Sequence, residues 1–188
     1  MAYSHRRALL QSLTGAALAA LLPLPAQAGY NIFTGEYTVA QAELQARIDT
    51  RFPLRLSYAQ LFQVDVSHPR LALSAGTARA AITVDLLVRS PLASKALTGV
   101  LTISSRLRFD APTSSIRLVS PQADRIDFAG LAPQDAQQLQ AIGQVVAQEA
   151  LQDLPVHTFK PEELSVGSRV FVPGEITVVD GAIVVKLD

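Results

Sequence analysis

The chain has 188 residues, with 16 basic and 16 acidic side chains, a formal net charge of zero and no cysteine. The lack of cysteine excludes disulfides, thiol catalysis and a lipid anchor attached to a cysteine. A neutral chain without a basic cluster is a poor nucleic-acid binder, and after residue 28 no apolar run reaches the roughly 18 residues of a membrane span.

The first 28 residues have the pattern of a secretory signal. A basic start at Arg6 and Arg7 precedes an apolar stretch over residues 8–22, and Ala26-Gln27-Ala28 forms a small-residue cleavage site. The arginine pair is compatible with either the general secretory or the twin-arginine route. We therefore expect a periplasmic protein cleaved after Ala28, with residues 29–188 forming a single domain.

The first element predicted in the remaining chain is a helix over about residues 38–51. Thr38 and Gln41 have the spacing of a capping box, and Ala40, Leu44 and Ile48 fall on one helical face.

Alternating apolar residues then predict several long antiparallel strands. The first begins at Phe62 and is interrupted at Pro69, which indicates a bulge or bend near a sheet edge. The second covers residues 78–89 and the third about residues 98–109, and a turn follows at residues 110–114. The next strand is expected to break at Pro121 and to resume near Ile126, so the pattern is an antiparallel meander.

The period then changes to helical over residues 132–154, which predicts the longest helix, with Leu139, Ile142, Val146 and Ala150 on one face. Asp180-Gly181 predicts a tight C-terminal hairpin between residues 176–179 and 182–187. The apolar face of the 78–89 strand is expected to close on the long helix. The small residues Ala78, Ala80 and Gly99 would let that helix approach or would leave a void.

Two stretches resemble the YceB-like family of Gram-negative envelope proteins. The segment YTVAQAELQARI, residues 37–48, is similar to the start of that family's mature chains, and Pro173-Gly174-Glu175-Ile176 is similar to its closing segment. The resemblance implies an α+β fold like that of the tubular lipid-binding (TULIP) proteins. In such a fold an N-terminal helix precedes a curved antiparallel sheet, which wraps a long amphipathic helix as a half-tube and ends in a β-hairpin. It supplies no catalytic residues.

This reading predicts a carrier of lipid or another apolar small molecule. The side chains expected to line its groove are Ile82, Val84, Leu86, Leu101, Ile103, Leu139, Ile142 and Val146. The alternative is a cystatin-like module of the cell envelope that meets a protein partner through a sheet edge or through the loop of residues 90–96.

An enzyme is the third and least favoured class. His68 and His157 lack metal-ligand spacing, so we expect a bend residue and a hydrogen-bonded histidine, respectively. Ser94-Lys95 has no catalytic context, and the carboxylate pairs Glu43 with Asp49 and Asp124 with Asp127 are expected on exposed faces. We predict no catalytic residue, no metal site and no cofactor.

Overall fold

A computed structural model describes residues 29–31, 33–58, 62–91, 95–131 and 140–188. The predicted signal segment, the groove residue Leu139, Ser94 and the first part of the long helix lie outside the described residues. In chain order the elements are β1 (Gly29–Asn31), β2 (Glu36–Ala40), α1 (Gln41–Asp49), β3 (Leu54–Tyr58), β4 (Phe62–Ala72), β5 (Arg79–Arg89), β6 (Leu97–Asp110), β7 (Ser115–Phe128), α2 (Gln140–Leu151), β8 (Pro155–Thr158), β9 (Ser165–Val166), β10 (Arg169–Val170), β11 (Pro173–Val179) and β12 (Ala182–Leu187).

Most of these residues belong to two antiparallel sheets. The larger sheet has the strand order β3-β4-β5-β6-β7-β8, and the smaller has the order β1-β2-β12-β11. The larger sheet is strongly curled, because α1 packs against both β4, the second strand of the order, and β8, the last. Both helices and the smaller sheet therefore pack against the apolar side of the larger sheet.

Several predictions for the strands are confirmed. On β5, Ala80, Ile82, Val84, Leu86 and Val88 are buried, as alternation requires. The expected interruption of β4 is a bulge, with a register shift between Ser67 and Arg70.

The predicted hairpin turn is also confirmed. Val179 pairs with Ala182 across Asp180-Gly181, and Gly181 has a φ of 71°, which suits glycine.

The prediction of a sheet wrapped around one long amphipathic helix is wrong. The described part of that helix, α2, has 12 residues and ends at Leu151, and Asp153 follows in the left-handed region. The space that one long helix would fill is shared by two short helices and the smaller sheet. The structure is thus mostly antiparallel sheet, and none of its described helices is long and apolar enough to cross a membrane.

The N-terminal helix is also shorter than predicted, because Thr38 lies in a strand. Tyr37 and Val39 point into the core while Thr38 pairs with Val184 of β12, so strand pairing outweighs the apparent capping box. Ala40 caps α1 without a side-chain hydrogen bond. The side chain of Gln41 bonds instead to the backbone of Leu71 and Leu73.

The predicted break at Pro121 does not occur. Strand β7 continues from Ser115 to Phe128 through two register shifts, and Ser120 has a φ of 51°. The backbone groups released by this irregularity are bonded by glutamines of α2, for example by Gln144 to Ala123 and Pro121.

Candidate functional site

The predicted groove residues lie in a packed core. Five of the seven that the structure describes are 0 % exposed, and Leu86 is 3 % exposed. Ile142 is partly buried. A side chain with no exposure does not contact water, so a ligand could reach these five only by displacing their neighbours. The groove-lining role of these residues remains a prediction. The fully buried members are Ile82, Val84, Leu101, Ile103 and Val146.

A glycine different from those predicted allows a helix to approach the sheet. A Cβ on Gly143 of α2 would lie 3.3 Å from Leu101 Cδ1 and 3.4 Å from Ile126 Cδ1. Gly99, in contrast, lies beneath the ring of Phe128, where a Cβ would be 2.6 Å from Cδ1. The core is therefore closed on this side.

Helix α1 is fastened to the bulge of β4 by two glutamines. Gln41 Nε2 donates to the Leu71 carbonyl at 2.9 Å and its Oε1 accepts from the Leu73 amide at 3.2 Å. Gln45 Oε1 accepts from the Leu71 amide at 2.7 Å, and its Nε2 donates to the Pro69 carbonyl at 2.8 Å. These bonds satisfy backbone groups that lie beyond Val66, where β3 no longer pairs with β4.

An open cleft of about 650 Å³ lies beside this attachment. Its apolar part is formed by Phe52, Pro53 and Pro69, and its polar part by Asp49, Ser67, His68 and Arg70. The cleft combines the end of α1, the turn that follows it and the bulge of β4. A concave, largely apolar surface with a few polar groups is the usual form of a small-molecule site.

Charged side chains on the rim hold one another in position. Arg70 Nη2 lies 2.8 Å from Asp85 Oδ1, and His68 Nδ1 lies 3.2 Å from Asp85 Oδ2. The hydrogen bond from Arg70 keeps the pKa of Asp85 below its usual value. Across the cleft, Asp49 Oδ1 accepts a 2.6 Å hydrogen bond from Gln45 Nε2.

The cleft does not have the geometry of a hydrolase site, although Ser67, His68 and Asp85 are neighbours. In the part of the chain that the structure describes, no hydrogen bond joins Ser67 to His68, which a serine nucleophile and its base require. Among the described residues there is also no group of three or more side chains suited to hold a metal ion.

His157 belongs to a buried polar cluster under α1. It is hydrogen-bonded as predicted, with Nδ1 2.7 Å from Glu43 Oε1, while Nε2 has no partner among the described residues. Its ring lies between Tyr37 and Phe159, with centroid distances of 5.6 Å and 4.6 Å. With no surface on which a substrate could meet Nε2, this cluster links α1 to β8.

The same cluster extends to the 3-10 helix Pro161–Leu164. The Tyr37 hydroxyl donates to Glu163 Oε1 at 2.7 Å. Burial, followed by this carboxylate, raises the pKa of Tyr37. Burial by itself would raise the pKa of Glu163, but hydrogen bonds from the Lys160 amide and from Tyr37 outweigh it and lower that pKa.

The other candidate polar residues are not brought together into a site. Asp124 accepts from Ser104 Oγ at 3.0 Å, while Asp127 pairs with Arg125 at 2.6 Å. Glu43 and Asp49 likewise bond to different partners, His157 and Gln45. These carboxylates have separate structural contacts.

A second surface feature is an apolar end of the smaller sheet. Phe33 is 95 % exposed, Val170 is 73 % exposed and Val172 is 61 % exposed. Hydrogen bonds from the Leu187 amide to the Gly35 carbonyl and between Val172 and Asp188 place the turn of Phe33 and Val172 at the same end of the sheet. Val166 and Val170 lie in the short hairpin β9–β10 that precedes Val172 in the chain. We call this group, together with Val166, the apolar end.

Sequence reasoning missed the cleft, although its signal was present. Two X-Pro pairs, Phe52-Pro53 and His68-Pro69, mark where a chain turns and where a strand is interrupted. Their meeting depends on α1 lying across β4, which no local pattern reveals.

Comparison of the sequence with models of known protein families and with curated proteins found no match. The resemblance to YceB-like proteins accordingly stays a prediction.

Proposed function

We propose that this protein binds an apolar or amphipathic small molecule in the cleft beside the β4 bulge, without catalysing a reaction. The observation that carries the proposal is a cleft of about 650 Å³ with an apolar part made by Phe52, Pro53 and Pro69. This volume lies within the range of about 300 to 1,000 Å³ typical of small-molecule sites. On the strength of the first 28 residues, the proposal places this activity in the periplasm.

The cleft is favoured over the interior because of the energy needed to make room. A ligand between β5, β6 and α2 would have to separate side chains that are now in contact on all sides, such as Ile82 and Ile103. A ligand in the cleft needs no such rearrangement and covers apolar surface that now faces water.

Native mass spectrometry of protein purified from the periplasm, with lipid extraction, tests this proposal. Ser67→Trp fills the cleft, and Ser57→Trp on the exposed side of β3 is the matched control. We expect a noncovalent adduct in the unmodified and Ser57→Trp proteins, and its loss in Ser67→Trp.

A third variant, Ile142→Trp, distinguishes the interior from the cleft. If a folded Ile142→Trp protein loses the adduct while the Ser67→Trp protein keeps it, the ligand binds in the interior and the cleft proposal is wrong. An unmodified protein with no adduct and no saturable binding of the neutral probe N-phenyl-1-naphthylamine would overturn small-molecule binding altogether.

A second candidate function, contact with a protein partner, is favoured by the apolar end. Phe33 and Val172 are large, exposed hydrophobic side chains at the same end of the smaller sheet, and such groups of side chains often mark interaction surfaces. A photo-crosslinking residue at position 33, with the same residue at Val100 on β6 as control, tests it in intact cells. A discrete protein adduct from position 33 alone supports a partner there, and equal or no crosslinking from both positions rejects it.

A further inference from the structure

The rim of the cleft carries one acidic and one basic side chain with unused bonding capacity. Arg70 uses Nη2 on Asp85, so Nε and Nη1 have no partner in the described part of the chain. Asp49 uses Oδ1 on Gln45, so Oδ2 is free within the same residues. No ion pair joins Asp49 to Arg70 in the described ranges, although both line the cleft.

Both groups are held in place before any ligand arrives. Gln45 Nε2 lies 2.6 Å from Asp49 Oδ1 and 2.8 Å from the Pro69 carbonyl, which ties the carboxylate to the bulge. Arg70 is anchored by Asp85 on the neighbouring strand, and Asp85 also contacts His68. Anchored polar groups lose less entropy on binding than free ones.

A ligand that covers the apolar part of the cleft also removes water from this rim. A purely apolar ligand would leave both charges less well solvated, and covering a charge without a partner is costly. An anionic head group would satisfy Arg70 while facing Asp49, and a cationic one would do the reverse. Only a head group with both signs matches both side chains.

We infer that the ligand of this cleft is a zwitterionic amphiphile, an apolar body whose anionic part meets Arg70 and whose cationic part meets Asp49. The inference rests on the proposed function. A phospholipid with a phosphocholine or phosphoethanolamine head has this chemistry, and so does an apolar amino acid.

Isothermal titration with water-soluble probes tests the inference. The probes are dihexanoyl phosphatidylcholine, dihexanoyl phosphatidylglycerol, dihexanoylglycerol and phenylalanine, which are respectively a zwitterionic, an anionic and an uncharged lipid and a zwitterionic amino acid. We expect the zwitterionic lipid to bind more tightly than the other two lipids. Binding of phenylalanine as well identifies the amino-acid source, and its failure to bind identifies the lipid source.

Two variants, one at Arg70 and one at Asp49, should change the affinity for phosphatidylglycerol in opposite directions. Arg70→Gln and Asp49→Asn should each weaken phosphatidylcholine binding by roughly two- to fivefold, the size of an exposed ion pair. Asp49→Asn should strengthen phosphatidylglycerol binding by a similar factor, whereas Arg70→Gln weakens it. Arg125→Gln and Asp127→Asn, which alter an exposed ion pair elsewhere on the larger sheet, are the matched controls.

The outcomes separate the inference from the function on which it rests. Equal binding of the three lipids, or phosphatidylcholine binding unchanged by Asp49→Asn, would overturn the zwitterionic ligand and leave small-molecule binding intact. No binding of any of the three lipids or of phenylalanine would overturn both.

Discussion

Helices α1 and α2 attach to the larger sheet in the same way, at two bulges that each contain a proline. In β4 the bulge includes His68-Pro69 and in β7 it includes Ser120-Pro121. His68 and Ser120 have φ values of 50° and 51°, a region that residues other than glycine seldom adopt, least of all before proline. In both places glutamines of the helix bond backbone groups at or next to the bulge.

The two attachments differ in how completely they close. Four glutamines spaced four residues apart, Gln140, Gln144, Gln148 and Gln152, join α2 and the residue just after it to β7. Two glutamines, Gln41 and Gln45, join α1 to β4. Gly143 also lets α2 approach the sheet closely, and α1 has no counterpart before it ends at Asp49. Attachment by glutamines therefore accompanies a closed core at β7 and an open cleft at β4.

The largest change in the free energy of unfolding is expected from a larger side chain at Gly143, where α2 lies close to the sheet. Gly143→Leu places a side chain where a Cβ alone would already lie 3.3 Å from Leu101 Cδ1. We expect it to lower the free energy of unfolding by about 3 kcal/mol, the upper range for overpacking. Urea unfolding measures this, with exposed Ala141→Leu on the same helix as control. A loss no larger than that of the control would show that α2 is not tightly seated.

Removing one glutamine from each attachment compares them directly. Gln144→Leu leaves the Ala123 amide without its partner and removes one of the two bonds to the Pro121 carbonyl, which also accepts from Gln148. Gln45→Leu leaves both the Leu71 amide and the Pro69 carbonyl without their partner. Each variant should lose about 2 kcal/mol of unfolding free energy. Gln122→Leu, an exposed position on β7, is the control. Stability unchanged in either variant would mean that water replaces the glutamine there.

Relieving the backbone at the two bulges should have a smaller effect of opposite sign. Ser120→Gly gives its left-handed conformation to a residue that adopts it freely, and we expect a gain of about 0.5 kcal/mol. His68→Gly should gain less, because it removes the contact with the Asp85 carboxylate, whereas Ser120→Gly removes only the exposed 3.3 Å hydrogen bond that the Ser120 hydroxyl accepts from Arg106. Thermal unfolding of the two variants tests the order, and a clear loss in Ser120→Gly would contradict the strain assigned to that bulge.

The smallest effect is the pH dependence of the ion pair between Arg70 at the β4 bulge and Asp85 on β5. Because Arg70 lowers the folded-state pKa of Asp85, the pair stabilises the fold above the unfolded-state pKa of about 4. That contribution disappears as the pH falls through the lowered folded-state pKa. The pair is exposed, so it should be worth only a few tenths of a kcal/mol.

Urea unfolding between pH 6 and pH 3, compared for the unmodified protein and Arg70→Gln, isolates this contribution. The two curves should converge in acid. A constant offset over the whole range would mean that Arg70 acts through packing rather than through the charge of Asp85.

Local sequence patterns predicted the strands well and the helices poorly. Alternation in β5 and β6, and the Asp180-Gly181 turn, depend on neighbours along the chain, so they are visible in the sequence. Thr38 and Gln41 satisfied a local helix rule, yet pairing with β12 at the far end of the chain placed Thr38 in a strand. The role of the glutamine side chains at Pro69 and Pro121 appears only once the helices are docked.

The candidate site was out of reach for the same reason. Burial of Ile82 and Ile103 was predictable from alternation, but whether a groove lies between them depends on how α2 packs. The cleft unites Phe52 with Pro69 through the crossing of α1 over β4, a tertiary event without a local signature.

The pairing of β2 with β12 has a consequence for the order of folding. Residues 36–40 pair with residues 182–186, so the smaller sheet joins two segments that are far apart in the sequence. Contacts so distant in sequence form late, because the loop between them must close first. During synthesis the smaller sheet cannot be completed until residues 182–187 have left the ribosome, and α1 gains its bond from the Gln41 amide to the Gly181 carbonyl no earlier than Gly181 emerges.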